Sequence, residues 1–152
     1  MSLFFDFDSP EYSGPLAGVM GYLNTAPPWF ATEIGHIVIF PPWQRTFVTT
    51  NAAALLIMHA LDSPEKGGWG FRRVQWLSSV FNTASIKAAQ RMGMKLEGVV
   101  RWQTNKAPKD DQGRAIEGKL TPGSKDYDTA LLATCWDDWD RTALEALIAR
   151  VS

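Results

Sequence analysis

The chain has 152 residues, 45% hydrophobic and 20% charged, which suits one globular domain with a core of its own. Fifteen Lys and Arg against sixteen Asp and Glu leave a net charge of -1, so neither nucleic acid nor an anionic membrane is expected as a partner. The single cysteine, Cys135, excludes an internal disulfide and suits a reducing compartment. No apolar run reaches the ~20 residues of a membrane helix, and the N-terminus lacks the basic start and cleavage site of a signal peptide. A cytoplasmic location is expected.

Phe4 to Asp8 alternates apolar and acidic residues and predicts a short strand, followed by a Pro- and Gly-rich turn over Ser9 to Pro15. Leu16 to Leu23 predicts a second strand. Asn24 to Phe30, with Pro27-Pro28, is expected to be irregular. Thr32 to Phe40, rich in Ile and Val, predicts a third strand, which Pro41-Pro42 ends. After the loop Trp43 to Val48, a helix is predicted from Thr50 to about Leu61, with Thr49, Thr50 and Asn51 as candidate caps. Its Ala52 to Met58 interior is apolar on all sides, so burial between other elements is expected.

Arg73 to Ser79, Asn82 to Met92 and Leu96 to Asn105 predict strand, helix, strand. Lys106 to Asp126 is polar, with two prolines and three glycines, and reads as a mobile loop. Asp128 to Cys135 predicts a last strand. Trp136 to Val151 predicts a terminal helix, with Trp136, Trp139, Leu144, Leu147, Ile148 and Val151 as its apolar side. The order β-β-β-α-β-α-β-β-α, without repeat or linker, predicts a single domain over residues 1–152, built on one mixed α/β or α+β sheet.

Two places on this frame can carry chemistry. The loop Gln44-Arg45-Thr46-Phe47-Val48-Thr49-Thr50 runs into a helix start, where free N–H groups and the positive dipole end suit a pyrophosphate. Every helix has such an end, so a plain helix start is the competing reading. The second place is Asn82-Thr83-Ala84-Ser85, where a strand feeds a helix. Asn82 there is either an N-cap or a ligand contact, and both are compatible at a strand-to-helix junction.

These blocks resemble the GNAT superfamily of N-acetyltransferases, and the similarity runs from about Ala17 to Cys135. The family's pyrophosphate loop has the general form Gln/Arg-x-x-Gly-x-Gly/Ala. Gln44 fits its first position, while Phe47 and Thr49 stand at the two small-residue positions. A variant close to Gln-Arg-Thr-x-x-x-Thr-x-Ala, from the branch that resembles ribosomal-protein-alanine acetyltransferases, matches Gln44, Arg45, Thr46, Thr50 and Ala52. Thr32-Glu33-Ile34-Gly35-His36-Ile37 resembles the preceding strand of that branch. The resemblance implies a mostly antiparallel sheet flanked by helices, without the family's first strand and helices. It also implies acetyl-CoA as cosubstrate and direct acetyl transfer to a primary amine of a small molecule or peptide.

It further implies that the loop Gln44 to Thr50 and Asn82 with Ser85 hold the cofactor, Asn82 and Ser85 toward the pantetheine arm. Ile37, Val38 and Ile39 become candidate oxyanion donors through their backbone N–H groups. Glu33 is the candidate general base, against the alternative of a surface carboxylate on an exposed strand face. Ser85 is the candidate acid for the leaving thiolate. Glu97 takes a structural role. Arg72-Arg73 is either a solvated basic pair or a contact for the adenosine 3'-phosphate. Cys135 reads as a small core residue. His36 and His59 lie on different elements without neighbouring ligands, so no metal site is expected.

The resemblance also implies a further strand and helices ahead of Phe4; without them an edge and an apolar face of the sheet are left to cover, which predicts a homodimer, or another partner, packed over that face. Three readings follow: an N-acetyltransferase, a CoA-binding module without turnover, and a regulatory subunit in which Phe47 blocks the loop.

Overall fold

The structure is a computed structural model that describes residues 15–103 and 128–151. The strand expected over Phe4 to Asp8, the turn that follows it up to Gly14 and the loop Lys106 to Asp126 lie outside the described residues. The described elements are β1 (Gly18–Ala26), β2 (Ala31–Ile39), α1 (Val48–Leu61), β3 (Arg73–Ser79), α2 (Thr83–Arg91), β4 (Lys95–Val100), β5 (Thr129–Cys135) and α3 (Arg141–Val151). The strands form one sheet in the order β1-β2-β3-β5-β4. Among these pairings only β2 with β3 is parallel, and the rest are antiparallel. The mixed, mostly antiparallel sheet with flanking helices is as the sequence predicts. No helix among the described residues is long and apolar enough to cross a membrane.

Register decides which side chains share a face. Tyr22, Ile34, Trp76 and Leu132 lie in one cross-strand row, and α1 packs on it with Ala53, Ala54 and Ile57 fully buried. Two hydrogen bonds fasten helices to this face: Tyr22 Oη–H donates to the Leu56 carbonyl of α1 at 2.6 Å, and Trp76 Nε1–H donates to Ser85 Oγ of α2 at 2.9 Å. Burial pushes the Tyr22 phenol well above its ordinary pKa, so it stays a neutral donor. The α3 helix adds Leu144 to the same core, and Arg141 pairs with the buried Asp62 at the end of α1.

The second face is polar at its centre. Leu23, Glu33, Gln75, Ala133 and Lys95 form the neighbouring row. Arg73 reaches across β5 to Glu97 on β4 through a bidentate pair at 2.9 and 2.6 Å. Arg73 is therefore not a solvated cation, and Glu97 has the structural role expected of it. Arg72 is exposed and lies 5.0 Å from the Phe30 ring centroid.

Several boundaries differ from the sequence expectation. The strand β1 continues through Asn24 to Ala26, because Asn24 takes a positive φ of 48° at a register shift. Pro27-Pro28 then enter a 3-10 turn at its first positions, where a missing N–H costs nothing. The helix α1 starts at Val48 rather than Thr50. It is not apolar against protein on every side, since Leu55 is 58% exposed. β4 stops at Val100, five residues before Asn105, in a turn where Trp102 has φ 56°. Trp136 to Asp138 form a turn, and α3 begins at Arg141 behind Asp140, whose Oδ1 accepts the Ala143 N–H at 3.1 Å. Trp136 is thus exposed rather than part of the helix's apolar side. Cys135 is half-buried at the end of β5 rather than in the core.

Ile57→Ala empties a fully buried site under α1 and should lower the unfolding free energy by about 2–5 kcal/mol, read by urea denaturation. The hydrogen bond from Arg73 holds the Glu97 carboxyl below the usual carboxylate range. A depressed folded-state pKa gives stability that is present above the unfolded pKa and lost as pH falls through the folded one. Glu97→Gln should therefore destabilise at pH 7, by under about 1 kcal/mol because both side chains are partly solvated. The gap between wild type and variant should close in acid.

Candidate active site

The parallel ladder of β2 and β3 is short. It runs from Ala31 opposite Arg73 to Ile34 opposite Trp76 and then ends, although β2 continues to Ile39 and β3 to Ser79. His36 explains the break. It takes a positive φ of 51°, and between the pairs Gly21–Gly35 and Val19–Val38 the β2 strand carries one residue more than β1. Such a bulge bends its strand and ends local pairing. A gap opens between residues 35–39 of β2 and residues 77–79 of β3. Each strand then leads into a helix, so the N-termini of α1 and α2 follow the carboxyl ends of the parallel pair. Open sheets receive ligands at that position.

Gln44, Arg45, Thr46 and Phe47 are all exposed. Gln44 Nε2 donates back to the last β2 carbonyl, Ile39, at 3.0 Å. Arg45 holds φ 62°. Thr46 Oγ1 donates to the Trp43 carbonyl at 2.6 Å and accepts from the Val48 N–H at 3.3 Å. Phe47 is the N-cap residue and makes no side-chain cap bond. None of Thr49, Thr50 and Asn51 caps the helix, because it has already begun ahead of them. Among the described residues the N–H groups of Thr49 and Thr50 have no acceptor. An uncapped helix start beside an arginine is suited to an anion. Positive φ falls on Arg45 and not on Phe47, which is αR, so the backbone here does not require glycine at position 47.

Asn82 caps α2: its Oδ1 accepts the Ser85 N–H at 3.1 Å. Ser85 is half-buried rather than simply solvated, and its Oγ accepts from Trp76, which is 2% exposed. Indole N–H is only a donor. The Ser85 hydroxyl proton therefore points away from Trp76 and is free to donate elsewhere.

Glu33 lies at the third of the four paired positions before the gap. It is 8% exposed, which excludes the surface-carboxylate alternative. Its Oε2 accepts from Asn24 Nδ2 at 2.8 Å and makes a long contact with Gln75 Nε2 at 3.5 Å. Ile37 and Ile39 are half-buried and Val38 is exposed, all on the bent part of β2. Asn24, Gln75 and Trp76 are absent from the sequence-derived site. Alternation of Arg73 and Gln75 with Val74 and Trp76 signals a polar face on β3, but nothing local marks Asn24. A separate cleft of about 300 Å³ lies between the end of α2 and α3, and no candidate residue lines it. His36 and His59 sit on β2 and α1, and His59 packs edge-on to Trp69.

No family model and no curated protein matches the chain. Solved structures do. A GCN5-related N-acetyltransferase from Brucella melitensis superposes with a TM-score of 0.67 at 26% identity, over 90% of this chain and 52% of that one. RimJ from Mycobacterium smegmatis, solved with CoA-disulfide, gives 0.64 at 17%, over 90% and 56%. The spermidine N-acetyltransferase SpeG from Vibrio cholerae gives 0.57 at 11%, over 80% and 59%. The chain thus spans between half and three fifths of the length of these proteins. Strand order, the interrupted parallel pair and these superpositions agree: the chain has the GNAT acyltransferase fold.

Proposed function

We propose that the chain is an N-acetyltransferase that moves an acetyl group from acetyl-CoA directly to a primary amine of a small molecule or peptide. The observation that carries this reading is the β2–β3 gap, flanked by one helix start without a side-chain cap and another capped by Asn82. A GNAT relative of the same fold is solved with a CoA derivative, which supports CoA as the occupant. The residues present fit it. The Thr49 and Thr50 N–H groups with Arg45 suit the pyrophosphate, and the bent segment Ile37 to Ile39 with Asn82 suits the pantetheine arm.

Acetyl-CoA, when bound, supplies the activated acyl group. Glu33 takes the proton that the amine nitrogen sheds as it bonds to the carbonyl carbon. Backbone N–H groups of Ile37 to Ile39 donate to the oxyanion. Ser85 Oγ–H donates to the sulfur as the C–S bond breaks. The proton gained by Glu33 balances the one that the thiolate finally takes up, so the transfer is proton-neutral. A homodimer and a cytoplasmic setting belong to the same proposal. A CoA-binding module without turnover is the second reading, favoured by Phe47, which is 44% exposed at a small-residue position of the loop.

Calorimetric titration with acetyl-CoA should show binding that Arg45→Ala weakens about tenfold, the worth of a charge-assisted hydrogen bond of about 1.5 kcal/mol, and that Asn82→Ala weakens by less, the worth of a neutral one of about 1 kcal/mol. A folded protein that binds no CoA rules out both readings, and binding without turnover on a panel of amines selects the second. Trp76→Phe should lower kcat about tenfold at unchanged KM for acetyl-CoA, and should have no further effect in Ser85→Ala, where the hydroxyl it orients is gone. Additive losses would reduce Trp76 to packing.

A further inference from the structure

Glu33 is a nearly buried carboxylate, 8% exposed, without a cation among the described residues. Both amide contacts fall on one oxygen, Oε2: Asn24 Nδ2 from β1 at 2.8 Å and Gln75 Nε2 from β3 at 3.5 Å. Oε1 has no protein partner among the described residues, yet it is not sealed off. The only buried side-chain polar atom there without a partner is Asn51 Oδ1. A Cβ placed on Gly35 would lie 3.7 Å from Oε1 and 2.4 Å from Leu23 Cδ1, so Leu23 packs over the bare glycine and Oε1 lies beside it. Gly35 is also the first β2 residue past the end of the parallel ladder. The free oxygen therefore sits where the gap begins, and the pinned one sits against β1 and β3.

We infer that Asn24 and Gln75 are positioning residues for the proposed base, holding Oε2 so that Oε1 alone meets the acceptor amine. This rests on the acetyltransferase reading. Asn24 is suited to the task because its positive φ of 48°, which asparagine tolerates better than most residues, keeps it at the bend of β1 opposite β2. Among the described residues the other charged or titratable groups on this face are Arg73 on β3, Cys135 on β5, and Lys95 and Glu97 on β4. Arg73 is committed to Glu97 and Lys95 to Asp138, so neither neutralises Glu33. On β1, Tyr22 faces the helices.

The test is a kinetic double-mutant analysis of the full chain with acetyl-CoA and a panel of amines. Asn24→Gly keeps a residue comfortable at positive φ and removes only the amide. It should lower kcat about tenfold at an unchanged KM for acetyl-CoA, and Gln75→Met should lower kcat by less. In a Glu33→Gln background neither substitution should have a further effect, because the carboxylate they hold is gone. Losses that add to that of Glu33→Gln, or an Asn24→Gly variant with unchanged kcat, overturn the inference while the acetyltransferase reading stands. A wild-type protein that acetylates no amine defeats the acetyltransferase reading itself, and the positioning role with it.

Discussion

The left-handed backbone at His36 is the constraint on which the rest of the site depends. Two strands that run parallel and stay paired leave no room between them. One extra residue in β2 turns the strand aside after Ile34, so the backbone groups beyond it need partners other than β3. From that bend follow the gap, the approach of both chains to their helices and the position of Glu33 just ahead of the opening. The bend is tolerable because β1 remains bound on the outer side, with Gly18 and Gly21 opposite the shifted segment. At Gly18 a Cβ would lie 2.3 Å from the Val38 carbonyl oxygen, so a side chain there would force β1 and β2 apart.

The two faces of the sheet divide the work. The helix face is apolar, and the hydrogen bonds from Tyr22 and Trp76 each tie a strand to a helix. The other face carries a polar chain from Asn24 through Glu33 and Gln75 to Arg73 and Glu97. A carboxylate held by amides on a scaffold fixed by the opposite face is poised without being neutralised. Trp76 links the two, because its backbone pairs at the last rung of the ladder while its indole fixes the first turn of α2.

Much of this was legible in the sequence. Strands β2, β3 and β5 were readable because apolar runs with β-branched or alternating residues are bounded by Pro, Gly or Asn, and Gln44 to Thr50 with Asn82 marked both helix starts. The misreadings have local causes. Pro27-Pro28 looked like a stop, but proline at the opening of a 3-10 turn meets no penalty, and Asn24 absorbs the bend ahead of it. Thr49, Thr50 and Asn51 looked like caps, yet the helix begins without one, and only the backbone shows that its first N–H groups stay open. Glu33 was recognisable as a residue but not its environment, since Asn24 and Gln75 lie 9 and 42 positions away and register alone brings them together. His36 carried no signal of its conformation at all.

The ion pairs on β4 have a consequence for assembly. This strand is an edge of the described sheet, and edges recruit foreign strands. Glu97 is tied to Arg73 across β5 and Lys95 to Asp138 beyond it, with a register shift between Leu96 and Gly98. A slip of one residue would turn both charges to the opposite face and break both pairs at once. The edge is thus keyed to a single alignment, and the same charges and irregular backbone make it a poor template for strands of other molecules, which guards a chain rich in exposed aromatic side chains against self-association through its backbone.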